Sequence, residues 1–221
     1  VATDQGWSVV LDERPIKTPA RSNLVLPTRA LAECVAQEWD CQGEQLDLHS
    51  MTLTRLANVA IDRTPYTRLE MIEELARYAQ TDLICHLEGN DAALRARQEA
   101  LWTPWRNWAG KTLDIVLVPV EGIVACPQPD ASLQAVRDQA GQLDAFSLTA
   151  LNWATALFGS VILGFAVQSG QLAATDAHTL SHLDQDFQAE RWGEDDEARA
   201  AKQSRAMDAE AVGRWFEALL A

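Results

Sequence analysis

The spacing of hydrophobic residues follows two different periods along this chain. Near the N-terminus the period is short: residues 7–11 (WSVVL) predict a strand, residues 12–15 a turn, and residues 16–18 and 24–26 two further short strands bounded by Pro and Asn. An antiparallel unit of this size is too small to be stable alone. We therefore expect it to pack against the rest of the protein.

From Thr28 onward the hydrophobic residues recur at helical spacing. Thr28 is the predicted N-cap of a first helix that ends before Gly43, and residues 51–62 predict a second helix. Thr64 is the predicted cap of a third helix, in which Pro65 takes the first position, where its missing N–H has no cost. The predicted apolar face of this helix consists of Leu69, Ile72, Leu75 and Ala76.

The C-terminal part of the chain is also predicted to be helical. Residues 91–108 show a helical pattern that Pro104 is expected to interrupt or kink. Residues 113–118 and 122–124 predict a short hairpin or extended connectors. The pattern from residue 130 almost to the C-terminus is helical, with breaks at Gly141, Gly170 and Gly193.

These elements together predict an α+β fold with two domains. A small antiparallel β-rich N-terminal domain, residues 1–50, would pack on a larger all-α C-terminal domain, residues 51–221. Residues 146–168 carry no charge, and a stretch of 23 such residues is long enough to span a bilayer. Their Ser, Thr, Asn and Gly content instead favours two buried helices joined near Gly159, so we expect no membrane insertion.

The composition is that of a folded protein with a large acidic excess. The 221 residues are 48% hydrophobic, and 32 acidic against 18 basic residues give a formal net charge of −14. This charge repels phosphate backbones and anionic lipid, which argues against nucleic acid and membrane surfaces as partners. The acidic excess has two interpretations: attraction to a basic partner surface, or simply keeping the protein in solution. Charge alone favours the second interpretation. A monomer is the simplest expectation.

The four cysteines indicate a reducing compartment. None lies in a Cys-x-x-Cys pair, and no histidine cluster lies nearby to complete a zinc site. Isolated cysteines in a chain with this much core are expected to be reduced thiols. No signal or transit peptide is recognisable after Val1.

No sequence motif for catalysis or cofactor binding is recognisable. The glycines are scattered, without a phosphate loop, a dinucleotide fingerprint or a nucleophile elbow, and no nucleophile has an adjacent base. The sequence therefore predicts neither catalytic residues nor a cofactor. The alternative is a small-molecule enzyme that gathers carboxylates and histidines in a pocket.

His178 and His182 form the pattern closest to a metal site, because histidines four residues apart share a helix face. Counting about 100° per residue places Leu180, Leu183 and Phe187 on one stripe and both histidines opposite. The His-Glu-x-x-His pattern is absent. We therefore predict a solvated polar face here and no bound metal.

Glu190 is the most informative acidic residue. On the same count it lies beside this apolar stripe, where a carboxylate costs free energy unless it is paired or left exposed at an interface. Two interpretations stay open: a pair with an arginine of this chain, or contact with a basic residue of a partner. Residues 184–197 around it hold seven acids and one base, Arg191, interrupted by Trp192.

Arg55 lies in an apolar helix, with Asn58 and Asp62 one and two turns further on. This spacing predicts that the guanidinium group takes part in an internal ion pair or hydrogen bond.

Six sequence blocks, in order, resemble the chaperones that assemble F1-ATPase by holding its alpha subunit. The first is WSVVLDERPIKTP at residues 7–19, followed by LVLPT at residues 24–28. The central one is MTLTRLAN at residues 51–58, followed by AID at residues 60–62. The others are EWD, YAQTDL, WTPWRNW and ERWGED, at residues 38–40, 78–83, 102–108 and 190–195.

The resemblance extends from Trp7 to about Ala198 and implies a specific function. Family members bind the unassembled alpha subunit of F1, prevent its aggregation and release it when beta arrives. The resemblance also implies the same α+β architecture, with no nucleotide and no catalytic residues. A bacterial member would work in the cytoplasm, whereas eukaryotic relatives work in the mitochondrial matrix. The residues it points to as the alpha-binding surface are Glu190, Trp192, Glu194 and Asp195.

A third interpretation is a permanent subunit of a larger complex. A chaperone differs from such a subunit because it is absent from the finished complex.

Overall fold

Short antiparallel strands build the N-terminal part of the protein, as the alternating pattern predicted. Two details differ: residues 14–15, predicted as turn, form a strand, and residues 16–18, predicted as a strand, contain only an isolated bridge. The computed structural model describes residues 1–221 apart from the side chain of residue 49. The five strands of this part are β1 (Ala2–Thr3), β2 (Gly6–Ser8), β3 (Val10–Leu11), β4 (Arg14–Pro15) and β5 (Val25–Leu26). β1, β2 and β5 form one antiparallel sheet in that order, and β3 and β4 form a separate hairpin. Its turn residues Asp12 and Glu13 have φ of 48° and 64°, which gives the left-handed turn that two-residue hairpins favour.

Helices make up most of the remaining chain. The α-helices within the described residues are α1 (Arg29–Asp40), α2 (Thr52–Asp62), α3 (Thr64–Gln80), α4 (Ala92–Thr112), α5 (Asp130–Gly141), α6 (Ala145–Phe158), α7 (Val161–Gln168), α8 (Ala174–Ser181), α9 (Leu183–Trp192) and α10 (Asp196–Leu220). Two further strands, β6 (His86–Leu87) and β7 (Val120–Glu121), pair in parallel. The predicted α+β fold is confirmed.

The uncharged segment forms the two predicted helices, α6 and α7. They separate at Gly159, whose φ of 64° is a left-handed conformation that glycine adopts without steric cost. Asp144 caps α6 and Ser160 caps α7 through side-chain hydrogen bonds. Among the described helices, none has both the length and the hydropathy to cross a bilayer.

The α6–α7 pair is the centre of the hydrophobic core. Seven of the eight residues of α7 are buried, and α2, α3, α8 and α10 pack around the pair. The N-terminal sheet joins the same core through Leu24 and Leu26. The Thr28 hydroxyl caps α1 and also donates to the carbonyl of Ala218 at 2.5 Å, which joins α1 to the end of α10. The division at residue 50 stays a prediction.

A buried aspartate fixes the junction between α6 and α7. Asp82, which is fully buried, accepts hydrogen bonds from the backbone N–H groups of Val161 at 2.8 Å, Ile162 at 3.3 Å and Ile84 at 3.2 Å. Burial raises the pKa of Asp82 to about 6, against the lowering effect of these hydrogen bonds and of one with Ser160. The carboxylate therefore caps the N-terminus of α7 from a distant part of the chain.

A second buried carboxylate, that of Glu38, caps the N-terminus of α2. Glu38 in α1 accepts the N–H groups of Leu53 and Thr54, both at 2.7 Å, and the Thr54 hydroxyl at 2.8 Å. Met51, the residue at the N-cap position of α2, makes no side-chain cap bond. The acid of the preceding helix supplies the acceptors that the first turn of α2 lacks.

Two predictions about α3 are wrong. Arg63, the one residue between α2 and α3, takes the N-cap position, and the Thr64 hydroxyl bonds the Val59 carbonyl at 3.2 Å and the Thr149 hydroxyl at 2.6 Å. Leu69 is 78% exposed. The buried face of α3 is set by its contacts with α5 and α6, and Leu69 lies outside that face.

Helix α4 runs from Ala92 to Thr112 through Pro104, so the predicted interruption is absent, and the alternative prediction of a kink stays a prediction. Side chains on both sides of the proline fix the helix to the core. The Trp102 Nε1 donates to the carbonyl of Leu180 at 3.0 Å, and Arg106 donates to the carbonyl of Ile84 at 2.5 Å. A hairpin within residues 113–124 is also not formed, because β7 pairs with β6 instead.

The extended segment at residues 115–118 is held by side chains rather than by a strand. Ser132 accepts the N–H of Val116 at 3.1 Å and donates to its carbonyl at 2.7 Å. Gln128 accepts the N–H of Val118 at 2.7 Å and donates to its carbonyl at 3.0 Å. Ile115 and Leu117 are buried, whereas Val116 and Val118 are exposed.

We expect Asp82→Ala to destabilise the fold by about 3 kcal/mol or more, because it leaves three buried N–H groups without an acceptor. Asp144→Ala is the matched control: it removes an N-cap aspartate whose hydrogen bonds are exposed, and its cost should be about 1 kcal/mol. Urea unfolding of both variants measures the difference. Equal losses would show that Asp82 is an ordinary cap.

Candidate functional site

The second half of α9 and the first half of α10 extend from the helical core. Phe187 is the last buried residue of α9, and Ala209 is the first of α10; no residue from 188 to 206 is buried. Gly193, with φ of 84°, separates the two helices. We call residues 183–206 the α9–α10 hairpin. It carries all four residues predicted to bind a partner.

Polar side chains fasten the hairpin to α4. Gln98 donates to Asp184 at 2.8 Å, and Arg191 forms an ion pair with Asp91, the N-cap of α4. The Phe187 ring lies beneath the guanidinium groups of Arg97 and Arg191. The Arg191 group is 4.2 Å from the ring centroid. These contacts hold α9 in a fixed orientation.

Glu190 is paired with an arginine of the same chain, the first of its two interpretations. Its two oxygens accept from the Arg97 guanidinium at 2.8 and 3.0 Å, a bidentate geometry that gives a strong, directional pair. The hydrogen bonds from Arg97 lower the pKa of Glu190 below its usual value. Its side chain is nevertheless 56% exposed, so contact with a partner stays a prediction.

The other three predicted residues lie together at the turn of the hairpin. Trp192 is 76% exposed. Asp195 is the N-cap of α10 and accepts the N–H of Ala198 at 2.7 Å. Glu194 lies 3.4 Å from the guanidinium of Arg199. An exposed indole beside acidic groups has the composition of many protein–protein contact surfaces, and the assignment of these residues to partner binding stays a prediction.

These three residues line a cleft of about 660 Å³ between the hairpin and the α6–α7 junction. Glu190 lies outside it, in a smaller depression with Arg97 and Leu101. The structure therefore brings three of the four predicted residues together and separates the fourth from them. The remaining polar lining of the cleft includes Ser181, His182, Asp186, Lys202 and Arg205.

The charged groups of the cleft already have partners. Asp186 forms an ion pair with Lys202, and Arg205 donates to the carbonyl of Leu157. The sequence did not predict this cleft, because its walls come from helices distant in sequence. The hydrophobic stripe that ends at Phe187 was the available signal that the following residues leave the core.

The prediction of a solvated polar face at the histidines is wrong. His178 is buried, His182 is half-buried, and their ring centroids lie 4.1 Å apart. The helical count failed because the chain ends α8 at Ser181 and starts α9 at Leu183. Among the described residues, no group of three or more His, Cys, Asp or Glu is placed to hold a metal ion.

Burial favours the neutral form of both histidines. Burial, together with the nearby His182, Lys202 and Arg205 and against the opposing effect of Asp186, lowers the pKa of His178 to about 4. Burial also lowers the pKa of His182. The Nε2 atom of His178 is buried without a hydrogen-bond partner among the described residues, so a proton there would be poorly stabilised.

Arg55 does not form the predicted internal pair. Its side chain is exposed, and no ion pair or hydrogen bond joins it to the described residues. Asp62 instead accepts from the Thr18 hydroxyl at 2.7 Å and from the N–H of Ala20 at 3.0 Å. The Asp62 carboxylate, which the helical spacing assigned to Arg55, is therefore bound by the N-terminal loop, which is distant in sequence.

Comparison with known proteins identifies relatives that cover nearly the whole chain. The family of ATP12 chaperone proteins matches residues 1–110. The crystal structure of Atp12 from Paracoccus denitrificans is 40% identical, with a TM-score of 0.91, over 97% of this chain and 92% of that one. A putative chaperone from Agrobacterium tumefaciens is 36% identical, with a TM-score of 0.92, over 99% of this chain and 82% of that one.

A more distant relative is the mitochondrial protein atp12 of Schizosaccharomyces pombe. It is 25% identical over an alignment of 197 positions that covers 84% of this chain and 68% of the yeast protein.

His178 should make the free energy of unfolding fall as the pH drops from about 6.5 toward 4, whereas the raised pKa of Asp82, about 6, acts in the opposite direction in the same window. In that window the unfolded chain protonates His178 while the folded chain keeps it neutral, since its folded pKa is about 4. His178→Phe should reduce this pH dependence, and His182 should account for part of the remainder. Urea unfolding at about pH 7 and 5 measures the effect.

His86→Gln is the control for this prediction, because His86 lies outside the cleft and contacts the carbonyl of Gly122. It should keep the pH dependence of the wild type. An unchanged pH dependence in His178→Phe would contradict the assignment.

Proposed function

This chain belongs to the ATP12 chaperone family, and from that membership we propose that it holds the free alpha subunit of F1-ATPase until alpha pairs with beta. The resemblance inferred from the six sequence blocks is thereby confirmed. A role as a chaperone in ATP synthase assembly follows from the family, and the alpha subunit is the client that we propose. The two bacterial structures among its relatives support the bacterial cytoplasm as the place of action.

The α9–α10 hairpin is the client-binding surface in this proposal. The observation that carries it is Trp192, 76% exposed at the turn of a hairpin whose preceding residues Glu190 and Arg191 are ion-paired with α4. Large aromatic side chains of this kind supply much of the free energy of protein–protein binding. Glu194 and Asp195 lie with it along the cleft and Glu190 lies in a separate depression on the same hairpin, and these acids favour a client surface carrying basic residues.

The mixed character of this surface suits temporary binding. A free alpha subunit exposes apolar surface that belongs against beta, and such surface leads to aggregation. A holder must cover it and still leave when beta arrives, and permanent interfaces are larger and more hydrophobic than transient ones. One exposed tryptophan among acids gives contact area without a fully apolar interface. We propose that the protein acts as a monomer.

We also propose that the protein has no catalytic activity. The cleft does contain Ser181 Oγ at 3.1 Å from His182 Nδ1, the kind of pair a nucleophile requires. However, the hydroxyl donates to the carbonyl of His178 at 2.8 Å, and Ser181 is buried. A hydroxyl held in this way is not presented to a substrate.

Co-expression with the F1 alpha subunit, followed by size-exclusion chromatography, tests the proposal. We expect soluble alpha to elute with this protein and to leave it when beta is added. The protein should be absent from the assembled complex, which distinguishes a chaperone from a permanent subunit. Aggregation of alpha in its presence, with nothing eluting together, would overturn the proposed function.

Trp192→Ala should weaken alpha binding by about 2 kcal/mol, or roughly 30-fold in Kd, as expected for a buried aromatic anchor of an interface. Its urea midpoint should stay that of the wild type, because the side chain packs on little of the core. Tyr66→Ala is the matched control, since Tyr66 is an 87% exposed aromatic residue on α3. Equal effects of the two substitutions on Kd would contradict the assignment of Trp192.

Glu190→Lys should weaken alpha binding while the protein stays folded. It removes a carboxylate from the proposed surface and also breaks the pair with Arg97, so the two effects need to be separated. The double variant Glu190→Arg with Arg97→Glu restores the internal pair with opposite polarity. We expect it to regain the stability of the wild type but not its Kd, measured by urea unfolding and by titration of alpha. Recovery of the Kd would assign Glu190 to the internal pair alone.

A further inference from the structure

A second surface feature lies away from the hairpin, between α2, α3 and α6. It is an open groove of about 340 Å³, which we call the α2–α6 groove. Its walls are largely apolar. Its lining consists of Thr52, Arg55, Leu56, Val59, Met71, Thr149, Asn152 and Trp153.

Arg55 at the groove has no acidic partner among the described residues. Several arginines elsewhere on the helices are paired, namely Arg97 with Glu190, Arg137 with Glu73, and Arg106 with Glu99. Arg77 and Arg214 also have no ion pair among the described residues, but neither lines the groove. The chain has 32 acidic residues for 18 basic ones, so the lack of a partner for Arg55 does not come from a shortage of acidic residues. A guanidinium left free beside an apolar groove is available to a carboxylate from outside the chain.

Asn152 adds an unused acceptor to the groove. Its amide nitrogen donates to the carbonyl of Leu148 at 3.1 Å, which fixes the orientation of the side chain. Its Oδ1 is buried and has no donor among the described residues. The neighbouring Thr149 hydroxyl is already bonded, to Ala145 and Thr64. An N–H group that enters the groove would supply the missing bond.

These groups define the chemistry of an occupant. Leu56, Val59, Met71 and Trp153 would cover an apolar side chain, Arg55 would pair with a carboxylate, and Asn152 would accept an N–H. A polypeptide segment with an apolar side chain next to an acidic one carries all three groups. We propose that the α2–α6 groove binds such a segment of the client protein, as a second contact beside the hairpin; this rests on the proposed function.

The test is the Kd for the F1 alpha subunit measured with Arg55→Glu. Arg77→Glu is the matched control, because Arg77 is an exposed arginine of α3 that does not line the groove. We expect Arg55→Glu to weaken binding at least about tenfold and Arg77→Glu to change it less than about twofold. If Arg55→Glu binds alpha as Arg77→Glu does, the groove is not a contact. If the wild type itself does not bind alpha, the proposed function fails first.

Asn152→Leu separates binding from folding. It removes a buried acceptor that has no donor, so the urea midpoint should rise or stay unchanged, while the affinity for alpha should fall. A change of both quantities in the same direction would indicate a structural role and overturn the proposal. A wild-type dimer that becomes monomeric in Arg55→Glu would also overturn it, because the occupant would then be a second copy of this chain.

Discussion

The hydrogen bonds of one buried carboxylate determine how the helical core is arranged. Asp82 binds the first N–H groups of α7, so the uncharged segment turns back at Gly159 as two packed helices instead of continuing as one. The surrounding helices α2, α3, α8 and α10 all pack on that pair. Glu38 repeats the arrangement at α2. In both places an acid of an earlier segment satisfies a later helix end, which ties distant parts of the chain together.

The same core supports two surfaces of different character. The α9–α10 hairpin is polar, fastened to α4 by ion pairs and by Phe187, and its exposed tryptophan is available without any rearrangement of the core. The α2–α6 groove is formed by core helices and is mostly apolar. A client that binds both surfaces would contact the α2–α6 groove and the α9–α10 hairpin, and it could dissociate from one surface before the other.

Some helix ends could be predicted from local signals in the sequence: Thr28 caps α1 and Gly159 separates α6 from α7, as predicted, although the predicted cap at Thr64 was wrong. Other wrong predictions concern residues whose burial or hydrogen bonds depend on parts of the chain distant in sequence. The burial of His178 depends on a helix break at His182 that no Gly or Pro marks. Asp62, which was expected to bind Arg55, instead accepts hydrogen bonds from a loop about forty residues earlier in the chain. Of the candidate site, sequence identified the hairpin residues, but the cleft and the groove form only when separate helices pack.

The side chains of Ser132 and Gln128 have a consequence for the solubility of the protein itself. An extended segment with exposed valines, such as residues 115–118, would ordinarily present free N–H and C=O groups on which another strand could add. Here those groups at Val116 and Val118 are occupied by two side chains. The segment therefore cannot serve as a template for intermolecular β-sheet, which is a useful property in a protein that works beside aggregation-prone chains.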